Sequence, residues 1–179
     1  MTHGQLVRKA EQWLRSYGCG IVLSEQVCVS GEAPDAIGWK RACHSVMVEC
    51  KVSRADFFAD RSKSFRQDPT LGLGCERWYL TPSGLVAPDE LPLKWGLLEC
   101  RAGKLRVAVK PSRQNQRTPT GLMYEMNLLL ASLRRVEVRI EPQTITEFLK
   151  WKNRLLEYNG GVYPRELTPV SGERNPHLG

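Results

Sequence analysis

The run Ser45-Val46-Met47-Val48-Glu49-Cys50-Lys51-Val52, followed at once by Ser53-Arg54-Ala55-Asp56, reads as a strand passing into a capped helix. Valine at alternate positions suits a pleated, packed strand. Side chains alternate across such a strand, so Val46, Val48, Cys50 and Val52 form one packed face, while Ser45, Met47, Glu49 and Lys51 form a second that carries an acid and an amine. Ser53 with an acid three residues on is a capping-box pattern and predicts a helix to roughly Phe65. Upstream, Gly31 and Pro34 mark a turn, Asp35 to Trp39 reads as a short strand, and the polar stretch Lys40 to His44 closes a hairpin onto the valine-rich strand. Ahead of these come a helix over about Gln5 to Tyr17, stopped by Gly18 and Gly20, and a strand over about Ile21 to Val29.

Downstream, after a loop around Pro69, Gly72 and Gly74, strands are expected at Arg77 to Thr81, Gly96 to Cys100 and Leu105 to Val109. Helices are expected at about Gly121 to Arg135, with Leu122, Met126, Leu129 and Leu133 on one face, and at about Thr144 to Tyr158. This order gives an α/β fold, a mixed sheet flanked by helices. It predicts a single domain over residues 1–160, with its core at about 5–110 and C-terminal helices at about 121–158, and a flexible tail over 161–179.

Composition agrees with one soluble domain: 179 residues, 41% hydrophobic, 25% charged, with a mean hydropathy of −0.37. No apolar stretch suits a membrane span or secretory signal, so a cytoplasmic protein without a membrane partner is expected. The net charge of +7 favours a polyanionic partner. Its placement says more, because Arg101, Lys104, Arg106, Lys110, Arg113 and Arg117 fall in a segment, residues 100–124, without a single acid. The six cysteines form no C-x-x-C pair and the three histidines lie far apart, which argues against a zinc knuckle or a disulfide framework.

If the Asp35 strand pairs with the Glu49 strand, the two carboxylates converge and repel unless a cation lies between them. Hard oxygen donors select Mg²⁺ or Mn²⁺, and Lys51 stands close enough in sequence to orient water or stabilise charge on a phosphate.

Pro34-Asp35 and Glu49-Cys50-Lys51, placed between one helix and the next, resemble the motif of the PD-(D/E)xK, or restriction-endonuclease-like, nuclease superfamily. The resemblance covers about residues 5–100 and implies a restriction-endonuclease-like core that hydrolyses DNA phosphodiester bonds. It implies Asp35, Glu49 and the Cys50 carbonyl as metal ligands and Lys51 as the motif lysine. Members similar to archaeal Holliday-junction resolvases place a glutamate on the first helix near the metal, and Glu11 matches that position; the competing reading is an ion pair with Arg15. The run from Trp78 to Val86, continuing through Glu90-Leu91-Pro92 and Trp95 to Leu98, looks like short uncharacterised phage and prophage proteins. A homodimer, a host or phage protein partner, and a non-cutting protein that binds DNA or a defence complex all stay open.

Other residues read more plainly. Asp56 and Asp60 read as helix-surface acids, Lys63 and Arg66 as either a solvated basic end or phosphate contacts, and Trp78 and Tyr79 as packing residues. His44 reads as a turn residue, and Gly72-Leu73-Gly74 lacks the setting of a dinucleotide loop.

Overall fold

The computed structural model describes residues 1–68, 70, 72–112, 118–137, 146, 147, 149, 150, 153 and 154. The chain divides into two compact units, Met1–Ala131 and Ser132–Gly179, the boundary falling within the span read from sequence as one domain. The expected tail at 161–179 and most of the expected helix at 144–158 lie outside the described residues.

The first unit begins with α1 (His3–Ser16), two residues earlier than expected, because Thr2 and Gln5 form a reciprocal capping box. A six-stranded sheet follows: β1 (Ile21–Ser24), β2 (Ala36–Trp39), β3 (Ser45–Cys50), β4 (Glu76–Pro82), β5 (Gly96–Arg101) and β6 (Lys104–Val109), side by side in chain order. β1, β2 and β3 form an antiparallel meander, β4 and β5 run parallel to β3, and β6 turns back antiparallel. Between β3 and β4 the chain crosses over through α2 (Arg54–Arg61) and α3 (Ser64–Gln67). The last long helix, α4 (Pro119–Glu137), spans the unit boundary.

β1 is shorter than the sequence predicts. Glu25 takes a left-handed φ of 52°, which breaks the ladder, and the chain then turns through Cys28 N–H donating to the Glu32 carbonyl. The helix expected to continue to Phe65 is interrupted at Lys63, whose extended backbone separates α2 from α3. The first break leads into the loop that carries the buried Glu32, and the second precedes the buried Arg66.

The sheet is covered on both faces. Leu6, Val7, Ala10 and Leu14 of α1 pack on Val46, Val48, Cys50, Trp78, Leu80 and Leu98. On the other face Ile37, Trp39, Met47, Tyr79 and Leu97 pack with Phe57 of α2, Leu73, Trp95 and Leu128. The face of β3 that carries the acid is packed as closely as the valine face: every residue of β3 is buried, Glu49 included. Parallel pairing to β4 with a helix on each side leaves such a strand no solvent face.

α4 also differs from expectation. Leu122, Met126 and Leu133 of the expected apolar face are exposed, while Leu128 and Glu125 point inward. The Glu125 carboxylate accepts from Trp39 Nε1 at 3.0 Å, Ser45 Oγ at 2.8 Å and Gly74 N at 3.1 Å, and these three donors fix the rotation of the helix.

Close approach of β2 to the segment after α1 requires a residue without a side chain at Gly38. A Cβ there meets Cys19 Cβ at 2.7 Å and Ile21 O at 3.2 Å. Gly38→Ala is expected to lower the unfolding free energy by about 1–3 kcal/mol through overpacking. Gly20→Ala, where a Cβ meets nothing within 4 Å, is expected to stay within about 0.5 kcal/mol; urea unfolding of both variants checks the contrast.

Candidate functional site

Register brings the two motif halves together. Ala36 pairs with Val48 in the antiparallel ladder, so Asp35 and Glu49 are the next pair outward, directly opposite each other. The Asp35 carboxylate takes over from the ladder: its Oδ2 accepts from Cys50 N–H at 2.7 Å, and its Oδ1 lies 3.3 Å from His3 Nε2. Because Lys51 N–H donates to Leu80 O across β3 and β4, the Cys50 peptide groups face the other way. A residue's N–H and C=O share one side of an extended strand, so the Cys50 carbonyl faces the side where Asp35 sits.

Glu49 is buried on the opposite sheet face from α1 and meets two cations. Its Oε2 lies 3.4 Å from Lys51 Nζ, and its Oε1 lies 2.7 Å from Arg66 Nη2. The Arg66 contact is a close charge contact that lacks the alignment of a hydrogen bond. Arg66 is itself buried and is shared by three acids: Nη1 pairs with Glu32 Oε1, Nη2 with Glu49, and Nε donates to Asp60 Oδ2 at 2.8 Å. The Phe65 and Trp95 rings lie within 5 Å of the guanidinium carbon. Asp60 also accepts from Tyr79 Oη at 2.7 Å, from Lys63 Nζ at 2.8 Å and from Lys51 Nζ at 3.4 Å.

Buried charges crowd together here. Glu32, Glu49 and Asp60 are almost wholly buried and the Asp35 side chain is 16% exposed, while the cations about these acids are the buried Lys51, Arg66 and Arg77 and the half-exposed Lys63 on Asp60. Burial pushes the Glu49 carboxyl up, the Asp35 charge adds to that, and with Arg66 and Lys51 opposing it the group still stands at about 7. Burial also raises Asp35, against the pull of Cys50 N–H and His3. Lys51 goes the other way: burial alone would lower it, yet Glu49, Asp60, Asp56 and Asp35 together hold it above its ordinary value. It is an ammonium donor at neutral pH. For Asp60 burial again pushes up, but Arg66 and the bonds from Lys63 and Arg66 outweigh it and hold the carboxyl well below the usual carboxylate range.

This donor set fits a hard divalent cation. Mg²⁺ binds through one or two carboxylates with waters completing its shell, and Asp35, Glu49 and the Cys50 carbonyl are the oxygen donors that the register brings to one side of β3. Among the described residues no group of three or more His, Cys, Asp or Glu side chains is arranged around one point. Glu11 is not brought to these carboxylates by any hydrogen bond: it accepts from Ser24 Oγ on β1, and no ion pair with Arg15 forms among the described residues. The α1 residue that reaches Asp35 is His3.

Asp60 and Arg66, read from sequence as a surface acid and a solvated or phosphate-binding cation, are both buried, which corrects those readings. Asp60 lies three residues after the fully buried Phe57, and that helical spacing puts an acid on the apolar side, a signal visible in the sequence. Glu32 carried none. Asp56 is half-exposed, with Oδ1 4.0 Å from Lys51 Nζ, while its N–H donates to Ser53 Oγ at 3.2 Å.

The basic segment is not one patch. Arg101, Lys104 and Arg106 cluster at one end of the β5–β6 hairpin, with Arg106 donating to Glu99 Oε2 at 2.8 Å. Lys110 follows the far end of β6, about 20 Å away at strand rise, and lines a hollow with Tyr17, Glu76 and Trp78. Arg113 and Arg117 lie outside the described residues.

No family profile and no curated protein matches the chain. Among solved structures it is similar to a protein of unknown function from Silicibacter pomeroyi, with a TM-score of 0.60 and 23% identity over 80% of this chain and 94% of that one. At that identity the likeness speaks for the α/β fold alone.

Two measurements check the network. Arg66→Met leaves three buried carboxylates short of a partner and is expected to cost about 3–5 kcal/mol in urea unfolding. Asp60 has a depressed folded pKa, so its stabilisation is present above the unfolded value of about 3.9 and is lost as pH falls toward the folded one. The stability gap between wild type and Asp60→Asn is therefore expected to be constant above about pH 5 and to narrow below pH 4.

Proposed function

We propose that the protein is a Mg²⁺- or Mn²⁺-dependent nuclease acting on DNA. The observation that carries this reading is the pairing of Asp35 with Glu49 at the end of adjacent strands, beside a protonated Lys51. Asp35, Glu49 and the Cys50 carbonyl are the groups to hold the metal, which when bound supplies a more acidic water and a counter-charge for the phosphate. Lys51, kept as an ammonium by Glu49 and Asp60, donates hydrogen bonds: it orients a water through its lone pair or stabilises the oxygen charge that builds during in-line attack. Arg66 holds Glu49 Oε1 and leaves Oε2 on the Lys51 side. His3 takes the place beside Asp35 that the resemblance to Holliday-junction resolvases had given to Glu11. The resemblance to PD-(D/E)xK nucleases supports the same assignment, since the order it implies, a helix, strands carrying P-D and E-x-K, then a helix, is the order of α1, β2, β3 and α2.

One observation favours a second reading, a nuclease-like protein that binds DNA without cutting it: the guanidinium of Arg66 already neutralises one oxygen of Glu49. Cleavage separates the two. Purified wild type incubated with duplex, branched, nicked and single-stranded DNA is expected to cut with Mg²⁺ or Mn²⁺ and not with EDTA. Asp35→Asn and Glu49→Gln are expected to abolish cutting, and Lys51→Ala to slow it by about 10²–10³-fold, with circular dichroism unchanged. Undiminished cutting by all three variants overturns the site, and a wild type inert on every substrate favours the binder.

A further inference from the structure

Lys9 on α1 donates from Nζ to the Gly103 carbonyl, 94 positions away, and so ties the β5–β6 turn to the helix. Between them lies an open hollow of about 520 Å³ lined by Met1, Gln5, Arg8, Lys9, Gln12 and Gly103: two cations and two amides, with no carboxylate among the described residues. On the other side of the same turn is a second hollow of about 250 Å³, where Ser83 faces Arg101, Lys104 and Arg106. Its one acid, Glu99, has both oxygens engaged, by Gly84 N–H at 2.9 Å and by Arg106 at 2.8 Å. We propose that these two hollows form one surface that binds nucleic-acid backbone, with α1 and the β5–β6 turn as its two walls. Arg8 and Lys9 then belong to the same polyanion site as Arg101, Lys104 and Arg106, although they stand more than ninety residues away in sequence. The nature of the polyanion rests on the nuclease reading.

Placement supports the inference. Both hollows have a lining residue near the end of the sheet that carries the acidic site: His3, two residues from Gln5, reaches Asp35, and Ser83 lies three residues after Leu80, whose carbonyl accepts from Lys51 N–H. A phosphodiester approaching four carboxylates is repelled unless neighbouring cations hold the backbone, and these are the described cations at that end on the α1 side. A membrane surface fits less well, because the lining offers one exposed apolar side chain, Met1, where membrane-binding surfaces present several large ones.

Binding of the full-length protein to a fluorescent 20-base-pair duplex and to a single strand, measured by anisotropy in EDTA across a salt series, tests this without cleavage. Arg8→Gln with Lys104→Gln is expected to weaken duplex binding about tenfold or more, and to make the log–log salt slope shallower by about 1.8, at about 0.9 per phosphate contact. Arg15→Gln with Arg41→Gln removes the same charge from exposed positions at the last turn of α1 and the β2–β3 turn and is expected to leave affinity and slope unchanged. Equal losses from both pairs, no loss from the first, or no binding to either DNA overturns the proposal. So does binding to vesicles of anionic lipid, measured by sedimentation, that exceeds binding to DNA and depends on Arg8 and Lys104. A protein that binds as expected yet never cuts with Mg²⁺ or Mn²⁺ defeats the nuclease reading and leaves this surface standing.

Discussion

The buried guanidinium of Arg66 ties together three acids from three different elements, over and above the strand pairing and packing that join those elements. It reaches Glu32 in the loop before β2, Glu49 on β3 and Asp60 on α2, three elements separated by turns or a crossover. An ammonium could not do this, since only a planar fork presents several donors in fixed directions. The aromatic rings of Phe65 and Trp95 close over its faces and exclude water. Burying an ion costs several kcal/mol before any partner is counted, and the three carboxyl groups around Arg66 offset that cost.

Arg66 does not serve every acid of the site alike. It pairs with Glu32 and Asp60 but meets Glu49 at a poor angle, and the contacts of Asp35 among the described residues are with Cys50 N–H and His3. The two acids it serves least therefore stand opposite each other at the end of the β2–β3 ladder. Burial holds Glu49 near 7, above the usual carboxylate range. Asp60, by contrast, is kept anionic and serves as the fixed counter-ion of Lys51. The two carboxylates that flank Lys51 therefore have different tasks, set by their surroundings and not by their chemistry.

Much of this was legible in the sequence, for a reason that also explains what was not. Asp35, Glu49 and Lys51 lie on neighbouring strands of one short meander, where a period of two fixes the faces and the pairing places the acids opposite each other. Glu32, Asp60, Arg66 and Tyr79 come together through a loop, a broken helix and a parallel strand, and charge in such segments reads by default as solvent-exposed. The break at Lys63 matters most: a continuous helix to Phe65 gives no reason to turn Arg66 inward. For Glu11 the structure shows a third arrangement, a hydrogen bond accepted from Ser24 on the edge strand, for which the sequence holds no signal. The apolar stripe on α4 misled because a buried acid, Glu125, with its three donors sets the rotation of that helix more firmly than leucines do.

The same geometry explains why the basic segment reads as one patch in sequence and divides in space. Strand β6 carries Lys104 at one end and leads to Lys110 at the other, so continuity along the chain becomes distance across the sheet. Only the turn end returns to the edge where β3, β4 and β5 finish in parallel, and it is pinned there by Lys9. Strands that run parallel gather their C-terminal ends on one edge, and α1, antiparallel to them, brings its N-terminal end to the same place. An acid cluster from β2 and β3 and a cation cluster from α1 and the β5–β6 turn thus become neighbours with opposite charge. A ligand that carries both a metal-seeking phosphate and a longer anionic chain is the kind of molecule that can satisfy both at once.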